Sequence, residues 1–165
     1  MKTKIFDKVN ELLEQYIGGQ IFFTELDKAV KFDKEILDEL FEYANKVFAL
    51  DCICTIASGE IGLAMHNLGV DIDYLVPGGL RHDPSKINLE PFKEKIQGKK
   101  FLFIDDSYFS GKTAMVIKEE IERLGGIFIG TLVAYDGAKV EEKNVWSLYR
   151  YYDYHDLLGR KIKGS

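Results

Sequence analysis

Four short apolar runs, CICTIA (52–57), DIDYLV (71–76), KFLFI (100–104) and GIFIGTLVAY (126–135), alternate with helix-length segments such as GLAMHNLG and GKTAMVIKEEIERLGG. No other feature constrains the fold of this chain so strongly. Runs that are apolar almost throughout are strands covered on both faces. Strands alternating with helices build βαβ units around a mainly parallel sheet. The tail NVWSLYRYYDYHDL reads as a last strand and a short closing segment.

The first fifty residues have a different texture. Ile5, Phe6, Val9, Leu12, Leu13, Tyr16 and Ile17 recur at helical spacing between Thr3 and Ile17, and Gly18-Gly19 supplies a stop. Ile36, Leu37, Leu40, Phe41, Ala44, Val47 and Phe48 repeat the pattern over 33–49, with Asp33 as N-cap. The intervening QIFFTELDKAVKF fits helix or strand. With 165 residues, 46% of them hydrophobic, the chain holds one proper core and is too short for two ordinary domains. The expectation is a single α/β domain over 1–165: a mainly parallel central sheet flanked by helices over 51–154, preceded by a helical element over 1–50.

Several function classes fall away on composition. No apolar run approaches the roughly 20 residues that span a bilayer, and MKTKIFDKVNELLEQ is charged throughout where a signal peptide would be apolar. A cytoplasmic protein with no membrane partner is expected. A net charge of -5 argues against a nucleic-acid surface. Cys52 and Cys54, two apart in a strand run and without further ligand types beside them, read as small buried apolar residues and not as a metal site.

The chemistry concentrates in FLFIDDSYFSGKTAM (101–115). An apolar strand runs into two adjacent aspartates, Asp105 and Asp106, and a short loop carrying Ser107, Tyr108, Phe109, Ser110, Gly111, Lys112 and Thr113 leads into a helix. Ligands of open α/β sheets bind outside the carboxyl ends of the strands. A helix N-terminus offers unpaired N–H groups and partial positive charge, the hydroxyls of Ser110 and Thr113 add donors, and Gly111 lets the backbone approach closely. The loop is a candidate phosphate cradle. The carboxylates ahead of it can accept hydrogen bonds from sugar hydroxyls or hold a divalent cation. A Walker P-loop is excluded, because the first glycine of its pattern would fall at Asp106.

FIDDSYFSGKT resembles the motif of the type I phosphoribosyltransferases that binds phosphoribosyl pyrophosphate (PRPP). ICTIASGEIGLA occupies the place of that family's pyrophosphate loop, and Pro77 to Lys100, which contains all three prolines, the place of its flexible catalytic loop. The resemblance spans roughly Asp51 to Tyr154. It implies that Asp105 and Asp106 contact the ribose and help hold Mg2+, that Ser107 to Thr113 hold the 5-phosphate, and that Ala57, Ser58 and Gly59 approach pyrophosphate. Arg81, His82 and Lys86 are the implied candidates for neutralising the leaving group. Residues 1–50 and the C-terminal tail would form the variable hood that meets the nucleophile. The implied activity transfers the ribose 5-phosphate of PRPP to a nitrogen base, purine or pyrimidine, with release of pyrophosphate. A homodimer is expected.

The chain departs from the family at Phe109. The 6-oxopurine enzymes carry an aspartate there that assists proton transfer, and phenylalanine can neither accept nor donate a proton. PGGLRHDPSK is also less regular than the basic loop of the orotate enzymes. The acceptor base stays open. So do two alternatives, a non-catalytic sensor of PRPP or nucleotide on the same fold, and a receiver-like module that uses the acidic pair for Mg2+ alone.

Overall fold

The computed structural model describes residues 3–15, 19–48, 54–57, 61, 74–75 and 87–154. Three helices open the chain: α1 (Lys4–Glu14), α2 (Gly19–Phe32) and α3 (Lys34–Phe48). Thr3 caps α1, its Oγ1 accepting from the Phe6 amide at 3.2 Å. Asp33 caps α3 as expected, its Oδ1 accepting from the Glu35 amide at 2.9 Å. The ambiguous segment is α2. Its Phe22, Leu26 and Val30 fall at i, i+4 and i+8 and are buried, so one helical face meets the core. Gly19, read as part of a stop, is the first residue of that helix.

The strands β1 (Cys54–Ala57), β2 (Tyr74–Leu75), β3 (Lys100–Tyr108), β4 (Ile127–Asp136) and β5 (Val145–Arg150) form one sheet in the order β2-β1-β3-β4-β5. Every pairing is parallel. β3 is central, and its side chains divide by the period of two. Leu102 and Ile104 join the cluster formed with α1–α3, while Phe101 and Phe103 pack with Ile117, Ile121 and Leu124 of α5 (Lys112–Arg123) and its C-terminal end. Helices therefore cover both faces, which is why the run reads as apolar throughout. A closing turn of helix, α6 (Tyr151–Tyr154), follows β5.

The sequence reading treats 77–100 as one loop. Residues 87–99 are instead packed structure: a 3-10 turn (Glu90–Phe92) runs into α4 (Lys93–Ile96), and Leu89 and Ile96 are fully buried against α5. Apolar side chains at 89, 92 and 96 give this stretch a core-facing side despite its proline. Polar contacts add to it. The Leu89 amide donates to Glu120 Oε2 at 3.3 Å, and Arg123 reaches Glu120 and Glu90, each at 2.9 Å.

The hydrogen bond from Arg123 is the chief reason that the Glu120 carboxyl lies below its ordinary value of 4.5, with the Leu89 amide assisting and burial opposing. A depressed carboxylate contributes stability that is fully present above its unfolded value and is lost as pH falls through the folded one. Arg123→Gln should therefore flatten the fall in stability below pH 4.5, measured by urea unfolding across pH. An unchanged acid limb would show that this contact contributes nothing.

Candidate functional site

The strand order reverses between β1 and β3. From β1 the chain runs outward to β2 and then returns to lay β3 on the other side of β1. Ala57, the last residue of β1, pairs with Ile104, the residue before the acidic doublet. Asp105 and Asp106 thus stand at the carboxyl end of the central strand, at the topological switch point where open α/β sheets bind ligands. Ala57 enters the site only through this backbone position. Ser58, Gly59, Arg81, His82 and Lys86 lie outside the described residues, as does Cys52.

Two adjacent carboxylates are tolerable because a strand sends them to opposite faces. Asp105 lies on the α5 face and lines a cleft of about 180 Å3 with Phe103, Thr131 and residues Ser107 to Ala114, of which Ser107 and Tyr108 end β3, Phe109 to Gly111 form the connecting loop and Lys112 to Ala114 open α5. Asp106 follows Leu102 and Ile104 toward the α1–α3 face and is 9% exposed. The doublet also organises its own backbone: Asp105 Oδ1 accepts from the Asp106 amide and Asp106 Oδ1 from the Ser107 amide, each at 2.8 Å, with the Ser107 hydroxyl at 3.3 Å. One carboxylate faces the cleft, and the other holds the entry to the loop.

The loop turns at Gly111, whose φ of 76° is left-handed, and α5 begins at the next residue. No acidic residue occupies the first turn of α5, whose first residues, Lys112 to Ala114, line the cleft. Ser110 Oγ accepts weakly from the Lys112 amide at 3.4 Å. Thr113 is half-buried in the cleft wall, whereas Ser110 and Lys112 are exposed at its mouth. The Tyr108 ring folds back over Gly111. Burial, assisted by Glu142 and Asp136, raises its phenol, which keeps it a proton donor.

Phe109 leans out of the loop toward α2. Its ring stands edge-on to Phe23 at 5.1 Å and to Tyr135 at 5.9 Å, and lies against Gly137. Tyr135 is fully buried and directs its hydroxyl to the Asp27 carboxylate of α2, with the Phe23 carbonyl at 3.4 Å. Burial first, then the charge of Asp27, pushes this phenol far above the ordinary tyrosine range; Ser107 acts in the opposite sense. The hydroxyl is a permanent donor, and it ties α2 to the strand end beside the acidic pair. Tyr135→Phe should cost about 1.5–3 kcal/mol, the worth of a hydrogen bond to a charged group. A urea midpoint equal to wild type would refute the tie.

Tyr135, Phe23 and Asp27 belong to this end of the sheet and Thr131, mid-way along β4, to the cleft wall, and none carries a motif. Phe23 and Asp27 lie four apart on one helix, and Thr131 and Tyr135 lie in an apolar run whose end is identifiable as a strand end. Asp136, at the end of β4, is 3% exposed; its Oδ1 accepts from the Ala138 amide at 2.8 Å, and Arg150 approaches its Oδ2 at 3.7 Å. That pair fixes the neighbouring loop. Among the described residues no three His, Cys, Asp or Glu side chains gather to hold a metal ion, and no helix is long and apolar enough to cross a membrane.

No protein-family model matches the sequence, and neither does any curated protein. Solved structures match in fold. A phosphoribosyltransferase from Corynebacterium diphtheriae aligns over 76% of this chain and 81% of its own, at 14% identity and a TM-score of 0.53. The orotate phosphoribosyltransferase of Mycobacterium tuberculosis H37Rv aligns over 76% and 79%, at 15% identity and 0.51. The UMP synthase of Leishmania donovani aligns over 78% of this chain and 30% of its own, at 18% identity and 0.52. Together with the parallel order and the acidic strand end, these likenesses establish that the chain has the phosphoribosyltransferase fold.

Proposed function

We propose that the protein is a phosphoribosyltransferase: it binds PRPP at the carboxyl end of β3 and transfers its ribose 5-phosphate to a nitrogen base, releasing pyrophosphate. One observation carries the reading. A cleft-facing carboxylate at the switch point continues directly into a left-handed glycine and a helix start free of acidic residues. Sugar hydroxyls and a phosphate need these two kinds of group within one sugar's length of each other.

On this reading the amides and hydroxyls from Ser107 to Thr113 bind the 5-phosphate, and Asp105 binds the ribose from the cleft side. As the bond from the anomeric carbon to pyrophosphate lengthens, positive charge develops on the sugar, and the negative charge of Asp105 and Asp106 stabilises it. Asp105 and Asp106 are also the residues that would hold Mg2+. Asp105 would meet the cation from the cleft side, and among the described residues no group of three His, Cys, Asp or Glu gathers, which suits a cation that keeps waters and shares phosphate oxygens. Mg2+ would neutralise charge on the departing pyrophosphate. Arg81, His82 and Lys86 are proposed for the same leaving group. Residues of α2 at the strand end are proposed to form the hood side that meets the base.

Phe109 favours a second reading. Its ring supplies no group for proton transfer, as fits a sensor that binds PRPP or a nucleotide without turning it over. Calorimetry with PRPP and Mg2+, followed by pyrophosphate release across a panel of bases, separates the two. Binding with turnover on one base is expected; binding without turnover on any supports the sensor, and absence of binding overturns both.

A further inference from the structure

We propose that the protein has a second ligand site, a cleft behind Tyr108 that takes an uncharged planar heterocycle, a nucleobase or nucleoside, and that its occupant closes the phosphate cradle. The site stands on its own geometry, and only the closure rests on the function proposed above.

The cleft exists because a connection lacks a helix. β4 ends at Asp136 and β5 begins at Val145, parallel to it, with no helix between them. Parallel neighbours are usually joined by a crossover of a dozen or more residues carrying a helix, which covers the sheet face that it crosses. Here residues 137–144 make the return without one. Lys143 and Asn144 of that return, one face of α5 and the sheet beneath enclose a cleft of about 420 Å3. It is more than twice the size of the cleft at Asp105 and falls in the range of about 300–1,000 Å3 usual for small-molecule sites.

The lining indicates the ligand. Phe128 and Val145 give an apolar floor, and Tyr108 adds a second ring at the end next to the cradle. A flat ring system packs well on such surfaces. Thr131 lines the cleft and is 2% exposed, and among the described residues its hydroxyl makes no hydrogen bond. A buried hydroxyl without a partner is costly until a ligand supplies one. Together with the Tyr108 hydroxyl and Asn144 it offers donors and acceptors, as the edge of a nucleobase requires. Charge narrows the class further. Lys118 and Lys143 are balanced by Glu119 and Glu122 in the same lining, so neither an anion nor a cation gains from the site as a whole.

The two clefts share a wall. Tyr108, Gly111, Ala114 and Thr131 line both, which makes the Tyr108 ring the partition between them. The ring stands over Gly111, where an added side chain would meet it. Close approach of an anion to the Gly111 backbone needs the ring to yield toward the larger cleft, and a heterocycle already there holds it in place. Each ligand therefore weakens the other by the same factor.

Calorimetry with adenosine, guanosine, inosine, uridine, cytidine and their free bases tests the site, with ribose 5-phosphate as the reporter of the cradle. At least one of the panel should bind wild type and, at saturation, weaken ribose 5-phosphate about fivefold or more. Val145→Phe fills the larger cleft from a residue outside the cradle. It should weaken the heterocycle at least about tenfold, keep the wild-type affinity for ribose 5-phosphate and abolish the coupling. Phe128→Leu withdraws the ring without filling the cleft and should weaken the heterocycle about three- to tenfold, which keeps the test decisive if Val145→Phe does not fold. No binding by any of the panel overturns the site. So does a heterocycle that binds and competes with ribose 5-phosphate equally in wild type and both variants, since it then occupies the cradle's own cleft. Binding that leaves ribose 5-phosphate unaffected overturns the closure. Failure of ribose 5-phosphate itself to bind overturns the cradle and the proposed function, while binding of the heterocycle and its loss in Val145→Phe still decide the second site.

Discussion

Gly111→Val should abolish PRPP binding, with a loss of more than about a hundredfold in affinity by calorimetry. The backbone at Gly111 is left-handed, with φ of 76°, which costs an ordinary L-residue roughly 1–2 kcal/mol and a β-branched one more. A side chain there also meets the Tyr108 ring, whose Cζ would lie 2.9 Å from the new Cβ. The ring can swing aside only into the cleft or away from the loop that it covers. Either way the turn loses the shape that points the first amides of α5 at an anion. Circular dichroism should show the fold retained, because the position touches neither hydrophobic cluster. Wild-type affinity in the variant would remove the cradle from consideration.

The acidic pair should divide its effects. Asp105→Asn is expected to slow turnover about a hundredfold, near 3 kcal/mol, because it withdraws negative charge from the cleft beside a developing cation. That interaction is stronger in the transition state than in the ground state, so the change falls on kcat with little change in KM for PRPP. Asp106→Asn should slow turnover comparably and weaken PRPP binding only modestly, since the amide oxygen still accepts from the Ser107 amide and hydroxyl, now without the charge. Steady-state kinetics with the acceptor found by pyrophosphate release reads both. A double variant turning over at the wild-type rate would leave the pair as a strand end and no more.

The parallel sheet was legible because β1, β3 and β4 are apolar almost throughout, a pattern that only two covered faces explain. The acidic doublet was legible as a site for the complementary reason, that nothing in a strand end needs two charges. Its division of labour was not, since which aspartate faces the cleft depends on the side to which β3 presents Leu102. α2 was ambiguous because adjacent Phe22 and Phe23 suit either period, and burial of Phe22, Leu26 and Val30 on one helical face decides it. Asp27 carried no local signal, because its partner lies 108 residues away. Residues 87–99 were hidden by the proline and charges around Leu89, Phe92 and Ile96.

That same separation orders events during synthesis. α2 leaves the ribosome early, and Tyr135, whose hydroxyl meets Asp27 of that helix, follows 108 residues later. At the usual pace of translation, the interval is on the order of 5–20 s, far longer than a helix needs to form. For that time the nascent chain has α1 and α3 to cover part of α2, while the side that meets Tyr135 waits. The loop at Gly111, by contrast, lies within a short span of β3 and α5 and can take shape as soon as that span is out. The contact between α2 and the end of β4 is thus assembled late, and Asp27 waits 108 residues for its partner.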